Sequence, residues 1–306
     1  MMISSLATVG VAQTQSVTPG EKVISVLNQF GVELRGMIHP GNKPEGQGTS
    51  GPASAAYAYD MGNLYTQYRQ SSGLSPMQAS SESTLFQAGL ALKYGGGNCD
   101  HYSALGEFYL SRVIKPKLEM EGLATIESYE RKSDLVAKHS FLEVKVAGVP
   151  GLIVFDPWAA SSPNKALAGY ASEYQFDVAG GRGEGAIAID KWGMPDEFSI
   201  GDIDSVTQQL RQFTDTWETN LQQNCPNEYQ DIKQRAESGN VVFTAYGNDT
   251  GFSQGMNAYA AGLHLGEGGS ISAWYRTPIA PPVLARQDSD ESMKSHQSSN
   301  SDMSIT

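Results

Sequence analysis

The chain has 306 residues, 40% of them hydrophobic, enough for one large folded body with a real core. Its 21 basic against 33 acidic side chains give a formal charge of −12, so a surface that tracks nucleic-acid phosphates would work against the overall field. No stretch approaches the roughly 20 consecutive apolar residues of a membrane span, no lipidation signal is present, and Cys99 and Cys225 are too few for a disulfide framework, which fits a reducing compartment.

Residues 1–20, "MMISSLATVGVAQTQSVTPG", carry no charged side chain and are rich in Ser, Thr and Gln, the composition of a disordered leader. The apolar run from Leu6 to Ala12 is short, broken by Thr8 and Gly10 and preceded by no basic residue, which disfavours a cleaved secretory signal. "GEKVISVLNQF" and "SAAYAYDMGNLYTQYR" show helical spacing, with a Gly/Pro/Asn-rich loop from Pro40 to Pro52 between them. "SSESTLFQAGLALKYGGG" predicts a third helix, with Ser81 and Ser83 as cap candidates and Gly95 as its stop. In "NCDHYSALGEFYLSRVIKPKL" a fourth helix has Tyr102, Leu105, Tyr109 and Val113 as its apolar stripe and Pro116 as the limit of its length. The period then changes. "ATIESYER", "HSFLEVKV" and "LIVFD" read as strands, the last two joined as a hairpin by "AGVPG". Helices return in "SVTQQLRQFTDTWETNLQQ" and "NEYQDIKQRAE", while the Gly-rich residues 247–269 carry no clear period. After the proline-rich "TPIAPPVL", residues 286–306 hold almost no large apolar side chain and are expected to be a disordered tail. Helices first and an antiparallel sheet afterwards predict an α+β fold, with a folded body at residues 21–285.

Asn98 is a preferred N-cap type, so Cys99 is expected in the first turn of the fourth helix, where unpaired backbone N–H groups and the positive end of the helix dipole converge. Such a place favours the thiolate, the form that attacks carbonyls, and lets the Cys99 N–H face a developing oxyanion. Gly96 and Gly97, after Gly95, would let a substrate backbone come close, which makes them candidates for a substrate groove. Asp100 acts the other way, because a neighbouring carboxylate disfavours the thiolate unless it points outward. A thiolate nucleophile needs an imidazole beside it and a third group to orient that imidazole. His101 is near in sequence, but residues two apart on a helix face different directions. His139 opens one strand and Asp156 closes its hairpin partner. Alternation puts His139, Phe141, Glu143 and Lys145 on one strand face and Ser140, Leu142, Val144 and Val146 on the other. A register that sets Asp156 opposite His139 or Phe141 brings carboxylate and imidazole to one face, and a slip of one residue separates them.

"GGNCDHYSALGEFYL" followed by "HSFLEVKVAGVPGLIVFDPW" resembles the transglutaminase-like core of the papain-like superfamily: glycine and cysteine at a helix start, His-aromatic-x-Glu-Val on a strand, then Asp-Pro ending the next. Cys99 and His139 are 40 residues apart and His139 and Asp156 are 17 apart, spacings of the size usual in that superfamily, and the match spans residues 84–160. The resemblance implies a Cys99, His139, Asp156 triad within a catalytic domain at 21–285 carrying a C-terminal helical and Gly-rich extension. It also implies attack on amide bonds with no cofactor. Members include transglutaminases, peptidases, arylamine acetyltransferases and bacterial effectors that deamidate or cleave host proteins. The bare leader makes the chain most similar to the effector branch, such as the AvrPphE-type plant-pathogen proteins, which implies type III export and delivery into a host cytoplasm, with a host protein as substrate. Two features depart from the pattern. Papain relatives place an oxyanion Gln or Asn shortly before the cysteine, where this chain has Lys93, Tyr94 and Gly95, so Asn98, or Asn63 or Gln87 from elsewhere, would assist. Arylamine acetyltransferases carry Arg before Gly-Gly, where this chain has Tyr94 and Gly95, which disfavours that reaction.

Each residue also has a plainer reading. A lone Cys is often a small buried hydrophobe, which is the reading for Cys225, and Trp158 either walls the site or simply packs. Cys99, His101, His139 and Asp156 include donor types that zinc accepts, but no Cys-x-x-Cys or His-Glu-x-x-His spacing supports a metal site. His39, His264 and His296 read as loop or tail residues, and "GGRGEG" at 180–185 as a loop without a phosphate-binding pattern. The alternative to an enzyme is a non-catalytic effector whose papain-like scaffold binds a host protein.

Overall fold

Thr18 opens the first helix, α1 (Pro19–Met37): its hydroxyl accepts from the Glu21 N–H while the Glu21 carboxylate accepts from the Thr18 N–H, a complete capping box. This helix takes in Pro19 and Gly20, which the sequence pattern assigned to the leader. The structure, a computed structural model, describes residues 17–41, 49–134, 139–159, 165–176, 186–188, 198–238, 263 and 273–277. Residues 1–16 of the expected leader, the expected tail, residues 180–185, His264 and His296 lie outside the described residues, as does the Gly-rich stretch except for residue 263.

α2 (Gly51–Ser71) and α3 (Pro76–Tyr94) form an antiparallel pair. α3 is longer than its apolar pattern predicts, because nothing in its first turn is buried before Ala79. Ser75 caps it, and the expected cap Ser83 lies inside the helix, donating its hydroxyl to the Gly62 carbonyl of α2 at 2.7 Å. Gly95, at φ +74°, ends α3 as expected. The chain then forms a short parallel bridge between β1 (His39–Pro40) and β2 (Gly96–Gly97) and enters α4 (Cys99–Tyr109).

Pro116 does not stop this helix. A π-turn at Leu110–Ile114 passes into α5 (Lys115–Met120), and the Arg112 carbonyl, which a residue other than proline at 116 would have bonded, accepts from the Gly201 N–H at 3.2 Å. The predicted stripe of Tyr102, Leu105, Tyr109 and Val113 is fully buried.

The three predicted strands are present as β3 (Ile126–Asp134), β4 (His139–Val146) and β5 (Ile153–Phe155). Two short strands the sequence pattern did not show, β6 (Ala168–Tyr170) and β7 (Ala186–Ala188), complete an antiparallel sheet of order β6-β5-β4-β3-β7. Leu142 pairs with Phe155 and Val144 with Ile153, and this face packs on α1 and α4. At Gly106 of α4 a methyl group would come within 3.1 Å of both Leu142 and Phe155, so a side chain there would require these neighbours to shift by a few tenths of an ångström. The edge of β6 is covered by Asn28 of α1, whose side chain accepts from the Leu167 and Ala168 N–H groups and donates to the Ala168 carbonyl. The fold is mixed α+β.

α6 (Ile203–Asn224) and α7 (Pro226–Glu237) pack on α2 and α3 around a second core that includes Tyr57, Tyr65, Phe86, Leu90 and Leu221. At its centre Glu218 of α6 is 5% exposed and accepts hydrogen bonds from Tyr57, from Tyr94 at 2.8 Å, and from Lys93 Nζ at 2.8 Å. Burial first, and then the Glu218 charge, push the Tyr57 and Tyr94 phenols up, so both stay protonated donors. The short α8 (Ala273–Arg276) returns to the body, where Tyr275 donates to the Val26 carbonyl at 2.8 Å and fully buried Lys117 donates to the Thr277 carbonyl at 3.2 Å. No helix among the described residues is long and apolar enough to cross a membrane.

With Tyr229 of α7, which donates to the same carboxylate at 3.4 Å, four helices meet on Glu218. Glu218→Ala should lower the unfolding free energy by about 3 kcal/mol, since it strands the Tyr57 and Tyr94 hydroxyls, while Lys93 keeps Asp215 as its partner at 2.5 Å. A urea denaturation midpoint unchanged from wild type would contradict this.

Candidate active site

The helical half places the thiol. Asn98 is in extended conformation, and its Oδ1 accepts from the Asp100 N–H at 3.1 Å and the His101 N–H at 3.3 Å, so Cys99 takes the first position of α4. The Asn98 N–H donates in turn to His101 Nδ1 at 3.0 Å, a capping box in which His stands where Glu or Gln is usual. The Asp100 carboxylate is engaged across the helix–sheet junction, where its Oδ1 accepts from the Ser140 hydroxyl on β4.

The sheet half places the other two groups. Continuing the β4–β5 register by one residue sets Asp156 opposite Phe141, one of the two registers that bring carboxylate and imidazole together. His139 Nε2 and Asp156 Oδ2 are 2.7 Å apart. Asp156 is fully buried; its Oδ1 accepts from the Ala159 N–H at 3.1 Å, and its own N–H donates to the Leu167 carbonyl at 2.7 Å. The Cys99 thiol interacts with the same imidazole. His139 Nδ1 is buried and makes no hydrogen bond of standard geometry. Because Nε2 is committed to Asp156, Nδ1 is the nitrogen left for the sulfur.

Burial opposes a charge on His139, but the Asp156 carboxylate and the Cys99 sulfur outweigh it and push the imidazole up to about 10. The ring is therefore an imidazolium at neutral pH. Aromatic rings enclose it: Trp158 at 5.0 Å between centroids, Phe176 at 5.9 Å and Phe141 at 6.1 Å. Trp158 lies against the imidazole and is at the same time part of the hydrophobic core. Cys99 is only 2% exposed and His139 likewise 2%, so the three groups sit under a cover and not in an open groove.

At Gly96 a side chain would come within 2.5 Å of the Gly51 backbone, and both Gly96 and Gly97 are buried. A side chain at Gly97 would come within 2.8 Å of the His101 Cβ. These glycines let the loop before Cys99 pass between α2 and α4. The Asn98 side-chain oxygen is committed to the helix cap. The other two oxyanion candidates lie elsewhere. Gln87 donates to Ser83 at 3.2 Å within α3, and Asn63 lines a recess with Asp231 and Arg235 of α7. Among the described residues no three His, Cys, Asp or Glu side chains converge to hold a metal ion, and neither cysteine is in a disulfide.

Sequence reasoning missed two parts of the site. The role of His101 was signalled by Asn-x-x-His, which has the spacing of a capping box, whereas Phe176 is brought in by chain folding that no local pattern marks. No protein-family model, curated protein or solved structure matches the chain.

Burial lowers His101 to about 4, against a smaller opposing effect of Asp100, so the ring stays neutral and keeps accepting from Asn98. Its folded value lies below the unfolded value of about 6.5, so the unfolded chain takes up a proton first, and stability is lost as pH falls from about 7 to about 4. Gln at this position still accepts from the Asn98 N–H but does not titrate. Wild type should lose about 3 kcal/mol more than His101→Gln over that interval, measured by urea unfolding at each pH. Equal losses would show that His101 is not buried as a neutral ring.

Proposed function

We propose that this protein is a thiol enzyme acting on amide bonds of proteins, with Cys99 as nucleophile, His139 as the proton-transfer group and Asp156 as its orienting carboxylate. The observation that carries the reading is the position of the His139 ring, held by Asp156 through one nitrogen while the Cys99 thiol interacts with it. The thiolate attacks the amide carbonyl, the imidazolium gives its proton to the departing nitrogen, and a thioester forms on Cys99. Water or an amine then resolves the thioester. Water acting after attack on a glutamine side chain gives deamidation, water after attack on a peptide bond gives proteolysis, and an amine gives cross-linking.

The cysteine at a helix start, with His and Asp on neighbouring antiparallel strands, supports placing the chain with the transglutaminase-like, papain-like enzymes. The uncharged, Ser/Thr/Gln-rich residues 1–20 support the further reading of a bacterial effector exported into a host cell, with a host protein as substrate. One observation favours a second reading: the low exposure of Cys99 suits a scaffold that binds a host protein without using its thiol.

Alkylation separates the two. Cys225, half-buried and with its thiol pushed up by burial and Glu228, is an internal reference. At pH 7 iodoacetamide should modify Cys99 at least about tenfold faster than Cys225, and His139→Ala should remove the difference. Equal rates in wild type would support the binding scaffold. To identify the reaction, host-cell proteins should be compared by mass after expression of wild type and Cys99→Ala. The enzyme reading predicts a change of amide to acid, a fragment or a cross-link with wild type alone, whereas identical profiles would contradict it.

A further inference from the structure

We propose that a recess beside Phe176 seats the group on the nitrogen side of the reacting amide, and that it takes a large apolar or aromatic substituent. The inference rests on the thiol-enzyme reading and narrows its chemistry. Among the described residues the recess is lined by Ile24, Ala168, Tyr170, Tyr174 and Phe176, with a volume of about 620 Å³, within the range of small-ligand sites. Lys165 and Glu173 bring opposite charges to its lining, so it has no net preference for an ion.

The link to the chemistry is Phe176. Its ring meets the His139 imidazole edge-on at 5.9 Å, packs on Phe141 at 4.6 Å, and also lines the recess. The nitrogen that leaves the tetrahedral intermediate comes to the imidazolium, the proton donor of the proposed step, and of the three rings that enclose the imidazolium Phe176 is the one shared with the recess, so what the nitrogen carries is assigned to that side. Ammonia, released in deamidation, needs no such space. A recess of this size and apolar character instead suits a nitrogen that bears a residue: the peptide bond before an aromatic or large aliphatic side chain, or a bulky amine that accepts the acyl group. In the forward step the carbon–nitrogen bond breaks, the His139 proton passes to the amine and a thioester remains. Hydrolysis adds water across the thioester, giving a carboxylic acid and the thiol.

The amine side can be read without knowing the substrate. p-Nitrophenyl acetate should acetylate Cys99 with a burst of nitrophenolate, and added amines then attack the thioester, forming an N-acetyl amide and returning the sulfur as thiolate with the amine's proton on His139. At equal concentrations of free base, phenylalaninamide should deacylate the wild type at least about tenfold faster than glycinamide. Trp placed in the recess from either exposed position, Ala166→Trp or Gln175→Trp, should bring the ratio of the two amines within that variant to about one. The two variants are independent, so failure of one to fold leaves the other to report. A burst on Cys99 with both amines equal in wild type would overturn the recess assignment and leave the triad standing, and so would a preference that survives both fillings. Absence of the burst, or a burst that persists in Cys99→Ala, would overturn the thiol-enzyme reading and this inference with it.

Discussion

The buried pair of His139 and Asp156 constrains the rest of the site because neither charge has water to compensate it. Burying a carboxylate at 0% exposure is costly unless each oxygen is engaged, and here one takes the imidazole and the other the Ala159 amide. The turn after β5 follows from this requirement. It folds back so that the Ala159 N–H reaches the Asp156 side chain and Trp158 falls on the imidazole. Three aromatic side chains then exclude solvent from the ring, which strengthens its interaction with both Asp156 and Cys99.

Two separately stabilised halves must be held in register for the sulfur to meet that ring. On the helical side, Glu218 of α6 ties α3 just before Gly95 to α2 and, through Tyr229, to α7, so the loop that delivers Cys99 springs from a fixed point. On the sheet side, the β4–β5 pairing sets the relation of His139 to Asp156. The close approach of α4 at Gly106 and the Asp100–Ser140 hydrogen bond join the halves, the latter one residue from both Cys99 and His139. Capping by Asn98 and His101 fixes the remaining freedom, the conformation of the turn that carries the thiol.

Local rules made much of this legible. The N-cap preference of Asn98 placed Cys99 in the first turn, the left-handed tolerance of Gly95 marked the end of α3, and the two-residue period of β4 put His139 and Phe141 on one face. What stayed hidden depends on distant partners. Helix continuation through Pro116 relies on the Gly201 amide, Gly96 answers to the backbone of Gly51, and β6 is a strand because Asn28 covers its edge. The burial of Cys99 was hidden for the same reason, since its neighbours come from both halves.

The central claim is that His139 carries a proton at neutral pH because Asp156 and Cys99 hold it there. The most direct measurement is the protonation of the His139 ring nitrogens, followed by nuclear magnetic resonance on protein labelled with nitrogen-15 in histidine, from pH 6 to pH 11. The account predicts that both ring nitrogens of His139 are protonated at pH 7, that one proton is lost near pH 10, and that the midpoint falls toward the ordinary histidine value in Asp156→Asn. A neutral His139 at pH 7 in the wild type, titrating near about 6.5, would contradict it.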